Sequence, residues 1–195
     1  MIHHPATVIT HPTTFPISTA EAKLFAGIDG DAEDTFVNRL IAAATKYFQQ
    51  HTGHALAETT YSQAFDDFPY ELRLDWTPIS SVIWLKYYDD EGVLTTVSSS
   101  DYWVSPDSRP PRIIPVYNVP WPIVQYGRPE CVVIRYAAGY SNVASIEEGI
   151  KVALLNLVKH WYTKKDIVID TGAMPQKVPF SLESLIQTYS MRGYR

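Results

Sequence analysis

Only one cysteine, Cys131, occurs in the 195 residues. An internal disulfide is therefore impossible, and so is a zinc site built from several cysteines. No apolar run reaches the roughly 18 residues of a membrane-spanning helix, and the opening MIHHPATVITHP has neither the basic region nor the apolar core of a secretion signal. The sequence alone thus leads to a cytoplasmic protein with no membrane association. Positive charge is in short supply as well, with 16 Lys and Arg against 21 Asp and Glu for a net charge of −5. Residues 1–58 carry 3 basic and 6 acidic side chains and residues 59–140 carry 6 and 10, whereas residues 141–195 carry 7 and 5. Phosphate binding draws on clustered Lys and Arg, so general DNA binding is excluded as the main activity. The basic C-terminal part suits an acidic protein surface. Compact catalytic signatures are also missing: there is no GxxxxGK[ST], no GxGxxG after a strand, no HExxH and no GxSxG.

What is present is periodic. From Asp31 to Gly53 the residues Phe36, Val37, Leu40, Ile41, Ala44, Tyr47, Phe48 and His51 recur at steps of one, three and four, an apolar stripe along one side of a helix. Asp31 is expected to cap it and Gly53 to end it in a left-handed turn. Ser145–Lys165 repeats the pattern with Ile146, Ile150, Ala153, Leu154, Leu157, Val158, Trp161 and Tyr162, starting from a capping box of Ser145 and Glu148. Gly149 costs this helix about 1 kcal/mol relative to alanine, so close packing must require it. A second capping box, Ser18 to Glu21, starts a short helix running to about Ala26.

Between the two long helices the period falls to two. Thr59–Phe68, Glu71–Leu74, Ile79–Tyr88, Val93–Val97, Tyr102–Ser105, Arg112–Val116 and Cys131–Tyr136 read as strands rich in β-branched and aromatic residues. Asp89–Gly92 reads as a hairpin turn, and the prolines around Trp121 as an extended connection. The expected fold class is α+β: two long packed helices and short terminal helices, with an inserted antiparallel β subdomain. The expected segments are an N-terminal arm (1–17), a helical core (18–58 and 141–177), the β subdomain (59–140) and a C-terminal helix and tail (178–195).

Candidate chemistry is thin. His3, His4 and His11 have no carboxylate or thiol beside them in the sequence to complete a metal shell, and read as part of a solvated or partner-bound arm. The acidic loop before the first long helix lacks calcium-loop spacing and is explained by helix capping. Asp66, Asp67 and Glu71 would have to flank a glycosidic bond to hydrolyse it, which their strand spacing opposes. His160 reads as a boundary histidine. Tyr87, Tyr88, Tyr102, Trp103 and Trp121 would make a sugar- or base-stacking platform if exposed together, and as sheet core otherwise. They motivate the rival reading, a carbohydrate-binding or glycan-hydrolysing module.

Taken in order, Ser18–Leu24 with its acidic loop, FVNRLIAAATKYFQQHTGHAL, the strand run ending VVIRYAAGY, IKVALLNLVKHWYTKK and VPFSLESLIQTY together resemble the head–tail connector (adaptor, or head-completion) proteins of tailed phages and prophages. The resemblance runs from about Ser18 to Tyr189, and the N-terminal arm has no counterpart in it. It implies a non-enzymatic subunit of a ring, usually of about twelve copies, in the neck of a virion assembled in the host cytoplasm. Implied partners are the portal protein, a stopper or tail-completion protein, further copies of the chain, and genomic DNA passing through the channel without specific binding. No cofactor or metal is implied. The C-terminal segment is the expected docking site: Phe180, Leu182, Leu185, Ile186 and Tyr189 form an apolar face flanked by Lys177, Arg192 and Arg195, for a portal or neighbouring-subunit groove with an acidic rim. The alternative is that this segment folds back on the chain's own long helices.

Overall fold

The computed structural model describes residues 4–12, 14–164 and 178–191. The chain forms two compact units, a helical one of Thr13–Ala57 and Ser141–Arg195 and a β one of Met1–Pro12 and Glu58–Tyr140.

In the helical unit, α1 (Thr19–Ala26) starts on the expected capping box. Ser18 Oγ accepts from the Glu21 backbone N–H at 3.1 Å, and the Glu21 carboxylate accepts from the Ser18 N–H at 2.7 Å. Helix α2 (Asp34–Thr52) begins two residues later than expected and has no side-chain cap. Asp31 does not cap it because its carboxylate is held by Lys23 Nζ at 2.8 Å, and the same ammonium reaches Asp34 at 2.6 Å. The stop is as read: Gly53 has φ 78° and its N–H donates to Gln49 O. Val37, Leu40, Ile41, Ala44 and Phe48 are buried. His51 was expected in the stripe but is exposed and stacks on Tyr47 at 4.0 Å, while Thr52 is buried with its hydroxyl donating to Phe48 O.

Helix α3 (Glu148–Thr163) buries Ile150, Ala153, Leu154, Leu157, Val158 and Trp161. Ser145 does not cap it. That residue closes a 3-10 turn, Val143–Ser145, that is itself capped by Asn142, and buried Ile146 intervenes before the helix. Lys165, the expected last residue, lies outside the described residues. Helix α4 (Phe180–Thr188) is shorter than the segment read from the sequence; Pro179 stands at its N-cap, so Ser181 falls inside the first turn. The stripes of α2 and α3 face each other, α1 packs on both, and so does α4. At the start of α2, Phe36 packs on Tyr162 of α3, whose hydroxyl donates to Glu33.

In the β unit a five-stranded antiparallel sheet has the order β1-β2-β8-β4-β5, and a three-stranded one the order β3-β7-β6. The strands are β1 (Thr7–Thr10), β2 (Thr59–Phe65), β3 (Leu72–Arg73), β4 (Ile79–Tyr88), β5 (Leu94–Val97), β6 (Tyr102–Ser105), β7 (Arg112–Pro115) and β8 (Val132–Ala138). Strict alternation of burial along β2 shows why its period was two: Thr59, Tyr61, Gln63 and Phe65 point inward. Buried Gln63 is hydrogen-bonded at both ends of its amide. Its Nε2 donates to Arg73 O, and its Oε1 accepts from Asp75 N–H and from the Tyr136 hydroxyl. Tyr61 stacks between Trp76 and Tyr136, and burial pushes its phenol up to about 12. The segment 1–17 is not one free-standing arm: Thr7–Thr10 adds β1 to the sheet edge, while Pro16 and Ile17 are buried in the helical unit. Pairing with β2 supplies backbone partners that the sequence of the arm does not advertise.

Leu157 is wholly buried in α3, which packs on α2. Leu157→Ala should lower unfolding free energy by about 2–5 kcal/mol, read as a shifted urea midpoint; an unchanged midpoint would refute the helix pairing.

Candidate docking surfaces

The C-terminal face is only partly available. Leu182 and Ile186 are buried at 7% and 2% exposure, and Tyr189 packs on Phe48 of α2 with ring centroids 6.0 Å apart. Met191 N–H donates to Thr52 O at 2.8 Å. These residues lie on the chain's own α2 and α3, so the folded-back arrangement is the one observed. Gly149 explains itself here: a Cβ on it would overlap the Tyr189 hydroxyl, with Cζ 3.4 Å away. An alanine there would force the Tyr189 ring to shift. Leu185 is half-buried and Phe180 is 84% exposed, so the outward side of α4 is what remains for a partner. Lys177, Arg192 and Arg195 lie outside the described residues.

Of the candidate carboxylates, Glu71 and Asp66 are engaged by their own chain. Glu71 is held by Arg112 Nη1 at 2.7 Å and by Arg73 Nε at 2.6 Å, and these two hydrogen bonds, Arg112 first, keep its carboxyl below the usual range. Asp66 accepts from the Glu130 N–H and from His4, and is lowered by both in that order. His4 is held by its own chain: its ring lies 2.8 Å from Asp66 and 3.6 Å from Glu130, residues too distant in sequence to be anticipated. His3 lies outside the described residues and His11 is exposed. Among the described residues no group of three or more His, Cys, Asp and Glu is placed to hold a metal.

Nor do the aromatics form one platform. Tyr102 is buried, Trp121 stacks on Phe68 at 4.7 Å, Tyr87 packs edge-on against the same Phe68, and Arg128 covers Tyr88 at 3.4 Å. Trp103 alone of the five is exposed. Tyr70, Tyr117 and Tyr126, on connections that contain proline, are also exposed. The turn of the β4–β5 hairpin is organised by Asp89, whose Oδ1 accepts from the Glu91 and Val93 N–H groups.

The chain is thus mixed α+β, with a helical unit, an antiparallel β unit and several large apolar side chains left exposed. The model of the head completion protein family matches residues 16–183. The chain belongs to that family and is a structural head–tail connector subunit of phage-like virions. Two solved structures have a similar fold. A chain from the neck of an empty GTA particle, computed with C6 symmetry, is 20% identical with a TM-score of 0.76, covering 95% of this chain and 94% of that one. One from the neck of a native GTA particle, computed with C12 symmetry, is 22% identical with a TM-score of 0.71 over 97% and 95% of the two chains. A comparison with curated proteins gave no match.

Two tests follow from these contacts. Gly149→Ala should destabilise the parent but be neutral or stabilising in a Tyr189→Phe background, which removes the overlapping hydroxyl; equal effects in both would mean that Tyr189 does not sit there. Glu71 titrates lower when folded than its unfolded value of about 4.3, so its contribution is complete above that pH and lost as the pH falls through the folded value. The stability gap between the parent and Glu71→Gln should therefore shrink below about pH 4, measured by urea melts; a constant gap would show that the two Arg contacts contribute nothing.

Proposed function

We propose that the protein assembles into a closed ring in the particle neck, below the portal protein, and continues the DNA channel toward a stopper or tail-completion protein without performing a chemical step. The observation that carries this reading is the family match over residues 16–183. The sixfold and twelvefold symmetry of the neck structures that share its fold is the reason for a ring of about twelve copies. The acidic balance of residues 1–140 fits a channel part that DNA slides past, because a wall of Lys and Arg would bind phosphate and retard it.

The outward side of α4, led by Phe180, is the contact to the portal or to a neighbouring subunit, with Leu182, Ile186 and Tyr189 serving as its anchor on α2 and α3. Charge at that exposed position should leave the fold intact and weaken docking. Phe180→Asp is expected to melt within about 0.5 kcal/mol of the parent and to lose co-sedimentation with portal rings. If the variant still binds portals and forms rings as the parent does, α4 is not the contact. If the parent itself never forms rings, alone or on portals, in native mass spectrometry or negative-stain images, the ring reading fails.

A further inference from the structure

The β unit carries an apolar projection and an apolar groove, and no residue belongs to both. The projection is the loop of residues 121–130. It is fastened at several points: Trp121 stacks on Phe68, Gln125 N–H donates to Tyr88 O at 3.0 Å, and the buried Cys131 thiol donates to Gln125 O at 3.2 Å and Arg128 O at 2.9 Å. Arg128 lies over the Tyr88 ring, and the Gln125 amide sits where a Cβ on Gly92 would meet it at 3.1 Å. A loop so held still turns Ile123 and Tyr126 outward, at 80% and 102% exposure. Large apolar side chains on a pre-ordered loop lose little entropy on docking, which is how an interface anchor differs from an incidental exposed residue.

The groove, about 470 Å³, is lined by Tyr70, Trp103, Ile114, Tyr117 and the prolines 115 and 120. Tyr70, Trp103 and Tyr117 are 84%, 54% and 81% exposed. Its lining contains no Asp, Glu, Lys or Arg. It therefore favours an uncharged apolar insert over a nucleic acid or a charged peptide.

We propose that Ile123 and Tyr126 of one copy of this chain dock into the Tyr70–Trp103–Tyr117 groove of the next. The proposal rests on the ring reading, which also selects the occupant. A two-fold pair needs one self-complementary patch, whereas a ring needs two different, mutually complementary patches on every subunit. A rigid apolar projection and an uncharged apolar groove on one unit are such a pair.

The test uses two full-length variants, Ile123→Ser with Tyr126→Ser (no projection) and Trp103→Ser with Tyr117→Ser (no groove), each checked for parental circular dichroism. Native mass spectrometry, alone and on portal rings, reads the assemblies. The expected result is rings from the parent, monomers from each variant, and heterodimers but no rings from their equimolar mixture, since one of the two contacts is intact in that pair. As a second measurement, Tyr126→Cys mixed with Tyr117→Cys should give an inter-copy disulfide on oxidation, and the parent, with only buried Cys131, should not. Rings from either variant, or rings restored by mixing, overturn the proposal while leaving the ring reading in place. Absence of both rings and cross-link in every preparation, portal-bound included, overturns the two together. Should a groove variant fail to fold, the cross-link decides.

Discussion

The packing of α2 against α3 is the constraint from which the rest of the chain follows. Their stripes are more than ninety residues apart in sequence, so whatever lies between them must leave the helical unit and come back to it. The chain solves this by pairing the two ends of the excursion: Glu58 N–H donates to Tyr140 O, and Thr59 stands opposite Ala138 at the start of the β2–β8 ladder. The central strands of the larger sheet are thus its first and last segments. The hairpin β4–β5 is added beside them, and the N-terminal β1 closes the other edge.

Where a signal is local and repeated, the sequence carried it. The stripes of α2 and α3, the Ser18–Glu21 capping box, the Gly53 stop, β4 and β6 were legible because each rests on a period or on contacts within four residues. The errors lie where a local rule met a distant partner. Asp31 and Ser145 had the chemistry of caps, yet Lys23 claimed the first and a 3-10 turn absorbed the second. His51 had the right spacing but is exposed and stacks on Tyr47, and Thr52 is buried in its place. Gly149 was a correct inference without a known cause, which Tyr189, forty residues on, supplies.

The candidate site was legible in composition more than in position. An apolar face on the last helix was readable from Leu182, Leu185 and Ile186, but only the fold decides whether such a face is covered by the chain or by a partner, and here α2 and α3 cover most of it. The β1 edge depended on pairing across fifty-odd residues, and the His4–Asp66–Glu130 contact spans more still. No period encodes either. The same holds for Tyr70, Tyr117 and Tyr126, which the sequence offers as ordinary aromatics and the fold leaves in solvent.

A chain that engages Glu71 with Arg73 and Arg112 and Asp66 with a backbone amide, and leaves Tyr70, Trp103, Tyr117 and Tyr126 in solvent, suits a subunit that buries surface on neighbours. The most direct measurement is electron cryomicroscopy of intact particles from a host carrying the gene and from one in which it is deleted. The account predicts a closed ring of this fold between portal and tail in the first and heads without attached tails in the second. Tailed particles from the deletion host, or density for this fold anywhere other than the neck, would contradict it.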